Sequence, residues 1–138
     1  MQADFYNAFQ RHWDDAEYLY TISHWPNADQ LYAYSAECGL KCMMLQFGML
    51  VNNEGTPQKS LDRVHADKIW NRYETYRMGR AVLGYELPQP NLFDDWEISN
   101  RYAHKSNFNQ TITDKHKQGA EIVRNLIHKA ILEGRLII

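Results

Sequence analysis

Eight consecutive residues, Asn100-Arg101-Tyr102-Ala103-His104-Lys105-Ser106-Asn107, form the densest set of groups suited to chemistry on a phosphate. Arginine offers a planar fork of donors that matches a phosphate edge. Histidine moves a proton near neutral pH. On an α-helix Arg101 and His104 stand three apart and share a face. Lys105, Ser106 and Asn107 add donors just beyond, and Asn100 and Tyr102 stand on either side of Arg101. The set suits recognition of, or attack on, a phosphodiester. It equally fits a structural arrangement in which Arg101 pairs with a carboxylate at the core edge and His104 is half-buried.

Glu37 is the second feature, within Ala36-Glu37-Cys38-Gly39-Leu40-Lys41. A carboxylate there can orient Arg101 across a bundle, or pair locally with Lys41 four residues on. His12 with Asp15, and His65 with Asp67, make no metal set, and no His-Glu-x-x-His or Cys-x-x-Cys run occurs. Cys38 and Cys42 lie on an apolar stripe and read as small buried hydrophobes. A Gly-rich phosphate loop and a Gly-x-Ser-x-Gly elbow are both absent from the sequence. Neither a metal nor a cofactor is expected.

Helices must position these groups. Phe5, Phe9, Trp13, Ala16, Leu19 and Tyr20 recur at helical spacing and predict a first helix over about 3–23. Asn27, with Gln30 three residues later, reads as the cap of a second helix running to about Leu50. Its stripe is Leu31, Ser35, Cys38, Cys42, Leu45 and Met49, and Ala28, Ala36 and Gly39 leave room for a close neighbour. A third helix is expected from about Leu61 to Met78. The stretch from Gly79 to Phe93, with two glycines and two prolines, reads as the mobile connection. Asp94, with Glu97 as its reciprocal partner, predicts a short fourth helix carrying Arg101 and His104. Thr113 or Asp114 caps the last, which runs to about Glu133 and stops at Gly134. The expectation is one all-α domain over 1–138, a compact up-and-down bundle of four to five helices.

The composition sets limits on function. The chain has 138 residues, 44% of them hydrophobic and 13% aromatic, with a formal net charge of −2. A strongly basic whole-surface nucleic-acid binder is excluded, and any phosphate site must be local. No apolar run is long enough to cross a membrane. Met1-Gln2-Ala3-Asp4-Phe5 has neither a basic nor an apolar leader segment. Two cysteines four apart on a helix are badly placed for a disulfide, which points to a reducing, cytoplasmic setting.

Four segments carry a family resemblance. Asn27-Ala28-Asp29-Gln30-Leu31 through Ala36-Glu37-Cys38-Gly39-Leu40-Lys41-Cys42-Met43-Met44-Leu45 resembles the second helix of HEPN domains (higher eukaryotes and prokaryotes nucleotide-binding). Trp13-Asp14-Asp15-Ala16-Glu17-Tyr18-Leu19 is similar to their first helix. Asn100-Arg101-Tyr102-Ala103-His104 falls where the family carries its polar Arg/His element, and 120–131 matches the last helix. The resemblance implies a homodimeric helical bundle acting on RNA or nucleotides, commonly as a metal-independent endoribonuclease of toxin–antitoxin or phage-defence systems. Carried over, Arg101 binds the scissile phosphate, His104 is general acid or base, and Glu37 orients Arg101. Asn100, Tyr102, Lys105 and Asn107 support the substrate. The family spaces its Arg and His by four to six residues, whereas two separate Arg101 from His104. That departure also fits members that have lost cleavage and serve a minimal nucleotidyltransferase as binding or substrate subunit, with Tyr102 as acceptor. Partners implied are therefore a second copy, RNA or a nucleotide, and an antitoxin or nucleotidyltransferase.

Overall fold

A computed structural model describes all of residues 1–138. Four α-helices carry the fold: α1 (Phe5–Thr21), α2 (Trp25–Gln46), α3 (Ala66–Gly79) and α4 (Gln110–Leu132). There is no strand, only a bridge between Val51 and Pro57. The expected all-α bundle is present, with one core drawn from every helix and from the long connection. No helix is long and apolar enough to cross a membrane.

The helix ends follow from local chemistry. Asp4 accepts the amide N–H of Asn7 at 2.9 Å and starts α1. Asn109, upstream of the expected caps Thr113 and Asp114, accepts the N–H of Ile112 at 2.9 Å and starts α4. Gly134 ends α4 in the left-handed region, φ 72°, and Arg135 N–H closes back on the carbonyl of Ala130 at 2.8 Å. Asn27 does not cap α2. The helix begins earlier, at Trp25, with Pro26 in its first turn, where a missing N–H costs nothing.

The central element is α2. Tyr20 meets Trp25 and Trp13 meets Tyr32, so α1 runs antiparallel to it. Asp29 meets His116 and Gly39 meets Val123, so α4 runs in the same sense as α2. His65 reaches Glu37 and Tyr73 packs on Phe47, which gives α3 that sense as well. Up-and-down alternation is thus confined to α1 and α2, and residues 47–65 and 80–109 return the chain. Three neighbours bury α2 around most of its circumference, beyond the single stripe expected. Tyr32, Ala33, Ala36, Leu40, Met43 and Met44 are fully buried, while Leu31, Cys38 and Leu45 are only half-buried. A Cβ on Gly39 would stand 2.6 Å from Val123 Cγ1 and 3.1 Å from Phe9 Cδ1, the close approach that glycine permits.

The third helix and the connection that follows it differ from expectation. The third helix begins at Ala66, because Asp62 is buried and held by Arg72 Nε at 2.6 Å and Tyr76 Oη at 2.5 Å. That anchoring fixes Ser60–Asp62 as a single 3-10 turn. The stretch expected to be mobile is instead laid down on the core. Tyr85, Phe93 and Trp96 are fully buried, Tyr73 Oη donates to the carbonyl of Tyr85 at 2.8 Å, and Asn91 Nδ2 donates to that of Asp67 at 2.7 Å. Gly119 of α4 receives the Phe93 ring, with 2.6 Å from its Cβ position to Cε2.

Candidate functional site

No α-helix forms between Asp94 and Asn107. Ile98–Tyr102 and Lys105–Asn107 are two short 3-10 turns, separated by extended Ala103 and His104. Asp94 does not cap; its carboxylate takes Lys115 Nζ at 2.7 Å. Asp95 takes His116 Nε2 at 2.8 Å. Beyond Trp96 and Ile98 the segment buries no apolar side chain, residues 101–107 all being exposed, and a short helix without tertiary packing does not offset its nucleation cost.

Arg101 and His104 therefore share no helical face. Both are exposed. Arg101 lies over the Tyr102 ring, 4.8 Å from its centroid. The hydroxyls of Tyr102 and, to a lesser extent, Tyr34 raise its pKa. His104 caps the second turn: Nδ1 accepts the N–H of Ser106 at 3.1 Å and lies 2.9 Å from Ser106 Oγ. An amide can only donate, so Nδ1 is unprotonated and the ring offers Nε2–H to solvent. In this geometry Nε2–H is a hydrogen-bond donor, and action as the imidazolium acid requires release of the cap.

Glu37 does not orient Arg101. Its Oε2 takes Lys41 Nζ at 3.0 Å and its Oε1 meets His65 Nδ1 at 2.8 Å. The local pair with Lys41 is the one formed, because both side chains are largely buried on α2 and each is the other's compensation.

A cleft of about 330 Å³ lies between this segment and the start of α4, lined by Asp95, Asn100, Ala103, Asn107, Phe108, Ile112 and His116. Two residues singled out in the sequence, Asn100 and Asn107, meet here. Asp95 and His116 were not anticipated. His116, 1% exposed, bonds through Nδ1 to the fully buried Asp29 and through Nε2 to Asp95, and its ring stacks on Phe93 at 5.4 Å. Burial pushes the His116 imidazole down, but the hydrogen bonds and charges of Asp29 and Asp95 outweigh it and raise its pKa. Asp29 is raised too, burial outweighing its bond to His116, so both shifts retain protons in the pair. For Asp95 burial acts upward, but His116 and Lys115 together hold its carboxyl below the usual range. The cleft thus contains a persistent carboxylate with two carboxamides, an aromatic ring and aliphatic walls.

A sequence signal for His116 existed. Extending the apolar stripe Ala120, Val123, Ile127 and Ala130 backward at helical spacing reaches His116, on the core side of α4. Nothing local pointed to Asp29 or Asp95 as its partners.

A larger cleft, about 470 Å³, is formed by residues 2–6, the end of α2 and Leu136–Ile138. Its lining is mostly apolar and contains no cation. Cys42 and Leu45, which line it, stand about 20 Å along α2 from Asp29, counting the helical rise.

No family model matches the chain, and neither curated proteins nor solved structures give a match.

Proposed function

We propose that the protein is a HEPN-type RNA-acting bundle, working as a homodimeric, metal-independent endoribonuclease of a toxin–antitoxin or phage-defence system. The observation that carries the reading is the meeting of Asn100 and Asn107 in one cleft with Asp95 and His116, on the segment that also presents Arg101, His104 and Lys105. Single-stranded RNA suits such a place, since its bases splay into a cleft while cations at the rim hold the backbone. Arg101 and Lys105 bind phosphate, and Arg101 stabilises charge developing on the scissile group. With its cap on Ser106 released and both ring nitrogens protonated, His104 gives the Nε2 proton to the leaving oxygen as the 2′-hydroxyl attacks the phosphorus and loses its own proton to water. Near-neutral total charge fits a small local site rather than a broad one.

The test is incubation of purified protein with total RNA in EDTA, alongside Arg101→Ala. Arg101 is exposed, so its removal leaves folding within about 0.5 kcal/mol. The expected result is cleavage by the wild type and a loss of at least about 100-fold in the variant. Absence of cleavage in both overturns the nuclease reading.

Tyr102 favours a second reading. It is 77% exposed at the end of its 3-10 turn, as a nucleotidyl acceptor must be. In that reading the protein is the substrate subunit of a minimal nucleotidyltransferase. Co-expression with such an enzyme followed by intact-mass measurement then gives an adduct that Tyr102→Phe abolishes. An unchanged mass and no co-purifying enzyme overturn it.

A further inference from the structure

We infer that the cleft bounded by Asp95, Asn100, Asn107, Phe108 and Ile112 is a nucleobase pocket selective for guanine, with His116 as the residue that positions Asp95. The inference deepens the RNA-acting reading and rests on it for the source of the base, but the pocket chemistry stands on its own residues.

The argument begins with Asp95. Both of its protein contacts, His116 Nε2 at 2.8 Å and Lys115 Nζ at 3.3 Å, fall on Oδ1. Oδ2 has no protein partner, and the side chain is half-exposed into the cleft. Lys115 Nζ meets Oδ1 only as an ion pair and donates to Asp94 at 2.7 Å, so Oδ1 keeps one acceptor direction beside the open Oδ2, and each oxygen presents one acceptor to a ligand. Guanine presents two parallel donors on one edge, N1–H and the exocyclic amine. Adenine and cytosine present one donor beside an acceptor, and uracil presents one donor between two carbonyls. Only guanine satisfies a carboxylate without setting an acceptor against it.

The other walls fit the same ligand. Asn107 donates one amide hydrogen to the carbonyl of His104 at 3.0 Å and retains a second hydrogen and its oxygen. Asn107 and Asn100 can therefore donate to the guanine O6. The half-buried Phe108 ring and Ile112 give apolar surfaces against which a flat base packs. A cleft of about 330 Å³ is at the small end of ligand pockets, which run from about 300 to 1,000 Å³. His116 holds Asp95 rigidly because its own other nitrogen is tied to Asp29 in the core.

The base can come from a free nucleotide or from single-stranded RNA, and the two are separated by experiment. Calorimetric titrations of the full chain use guanosine, 5′-GMP, 5′-AMP, 5′-CMP and 5′-UMP. A matched pair of single-stranded oligoribonucleotides, with and without guanine, completes the set. GMP is expected to bind about tenfold tighter than the other nucleotides, the usual discrimination of a bidentate pair. Asp95→Asn, which changes charge but little shape, is expected to abolish that preference. Asn107→Ala provides an independent variant on an exposed turn, and it is expected to weaken the preference by a smaller factor. His116→Gln is expected to relax the preference with Asp95 still present, and to move its pH profile, which a purely structural role would not do.

Equal affinity for the four nucleotides, or a guanine preference unchanged in Asp95→Asn, overturns the inference. Arg101→Ala keeps the two readings apart: it removes the advantage of GMP over guanosine while leaving guanine preferred. Guanosine binding that depends on Asp95, without any binding of RNA, supports the pocket and identifies a free nucleotide as its ligand. Tighter binding of the guanine-containing oligonucleotide than of GMP supports it with RNA as the source. RNA binding that depends on Arg101 but shows no guanine preference overturns the pocket alone.

Discussion

His116 Nε2 lies 2.8 Å from Asp95 Oδ1, so a ring buried on α4 holds a carboxylate that borders the cleft. The other nitrogen of that ring bonds to Asp29 on α2. With Asp29 and Asp95 both ionised, only the imidazolium donates to each of them, and a neutral ring leaves one carboxylate unpaired.

Stability is expected to fall on the alkaline side for that reason. The pKa of His116 is raised in the folded state, so its contribution is complete below the ordinary value near 6.5. The contribution is lost as pH rises through the folded value. The raised Asp29 acts with the same sign. Thermal unfolding followed by circular dichroism from about pH 6 to pH 9 is expected to show a falling midpoint in the wild type. In His116→Asn the profile is lower and flatter. A wild-type midpoint that rises across this range contradicts the assignment.

Glu37→Gln is expected to cost about 3–5 kcal/mol, because it strands the ammonium of Lys41, whose side chain is 8% exposed. Adding Lys41→Met removes the stranded charge and recovers most of that loss. Urea denaturation of the two variants measures both. RNA affinity per folded molecule stays at the wild-type level in Glu37→Gln, since Glu37 is engaged by Lys41 and His65 rather than by Arg101.

Gly39→Ala forces a methyl to within 2.6 Å of Val123 Cγ1. The overpacking is expected to cost about 1–3 kcal/mol, partly offset by alanine's better helix propensity, about 1 kcal/mol. Combined with Val123→Ala, which vacates that space, the loss is less than the sum of the two single changes. Strict additivity in chemical denaturation would show that the two helices relax apart instead.

Much of the fold was legible because helical periodicity is local. The apolar members of α1 and α4 repeat along one stripe each, and the Gly134 stop was read correctly from its position. The small residues of α2 announced a close neighbour, and α1 and α4 both close in at Gly39. The width of the buried face on α2 was not legible. It depends on how many helices surround it, and no residue of α2 records that.

The candidate segment was legible in composition and misread in geometry. Asn100, Arg101, His104 and Asn107 are exposed or half-exposed groups on one segment, as their polarity indicated. The helical arrangement failed as Asp94, the expected capping carboxylate, and Asp95 beside it pair instead with Lys115 and His116 from α4. A cap bond is worth about 1 kcal/mol, and pairing with a cation is the stronger competitor when the tertiary fold brings one within reach.

By itself, then, the amino-acid order determined the all-helical class, the principal helices and the local concentration of phosphate-seeking groups between Asn100 and Asn107. Each of these depends on neighbours within a few positions along the chain. The tertiary structure alone decided that buried Asp29 and His116 form one hydrogen-bonded chain with the half-exposed Asp95, and that Glu37 belongs to Lys41 and His65. Asp29 and His116 are 87 positions apart. The gain from pairing buried charges exists only once packing has removed water from around them, so no local pattern carries it.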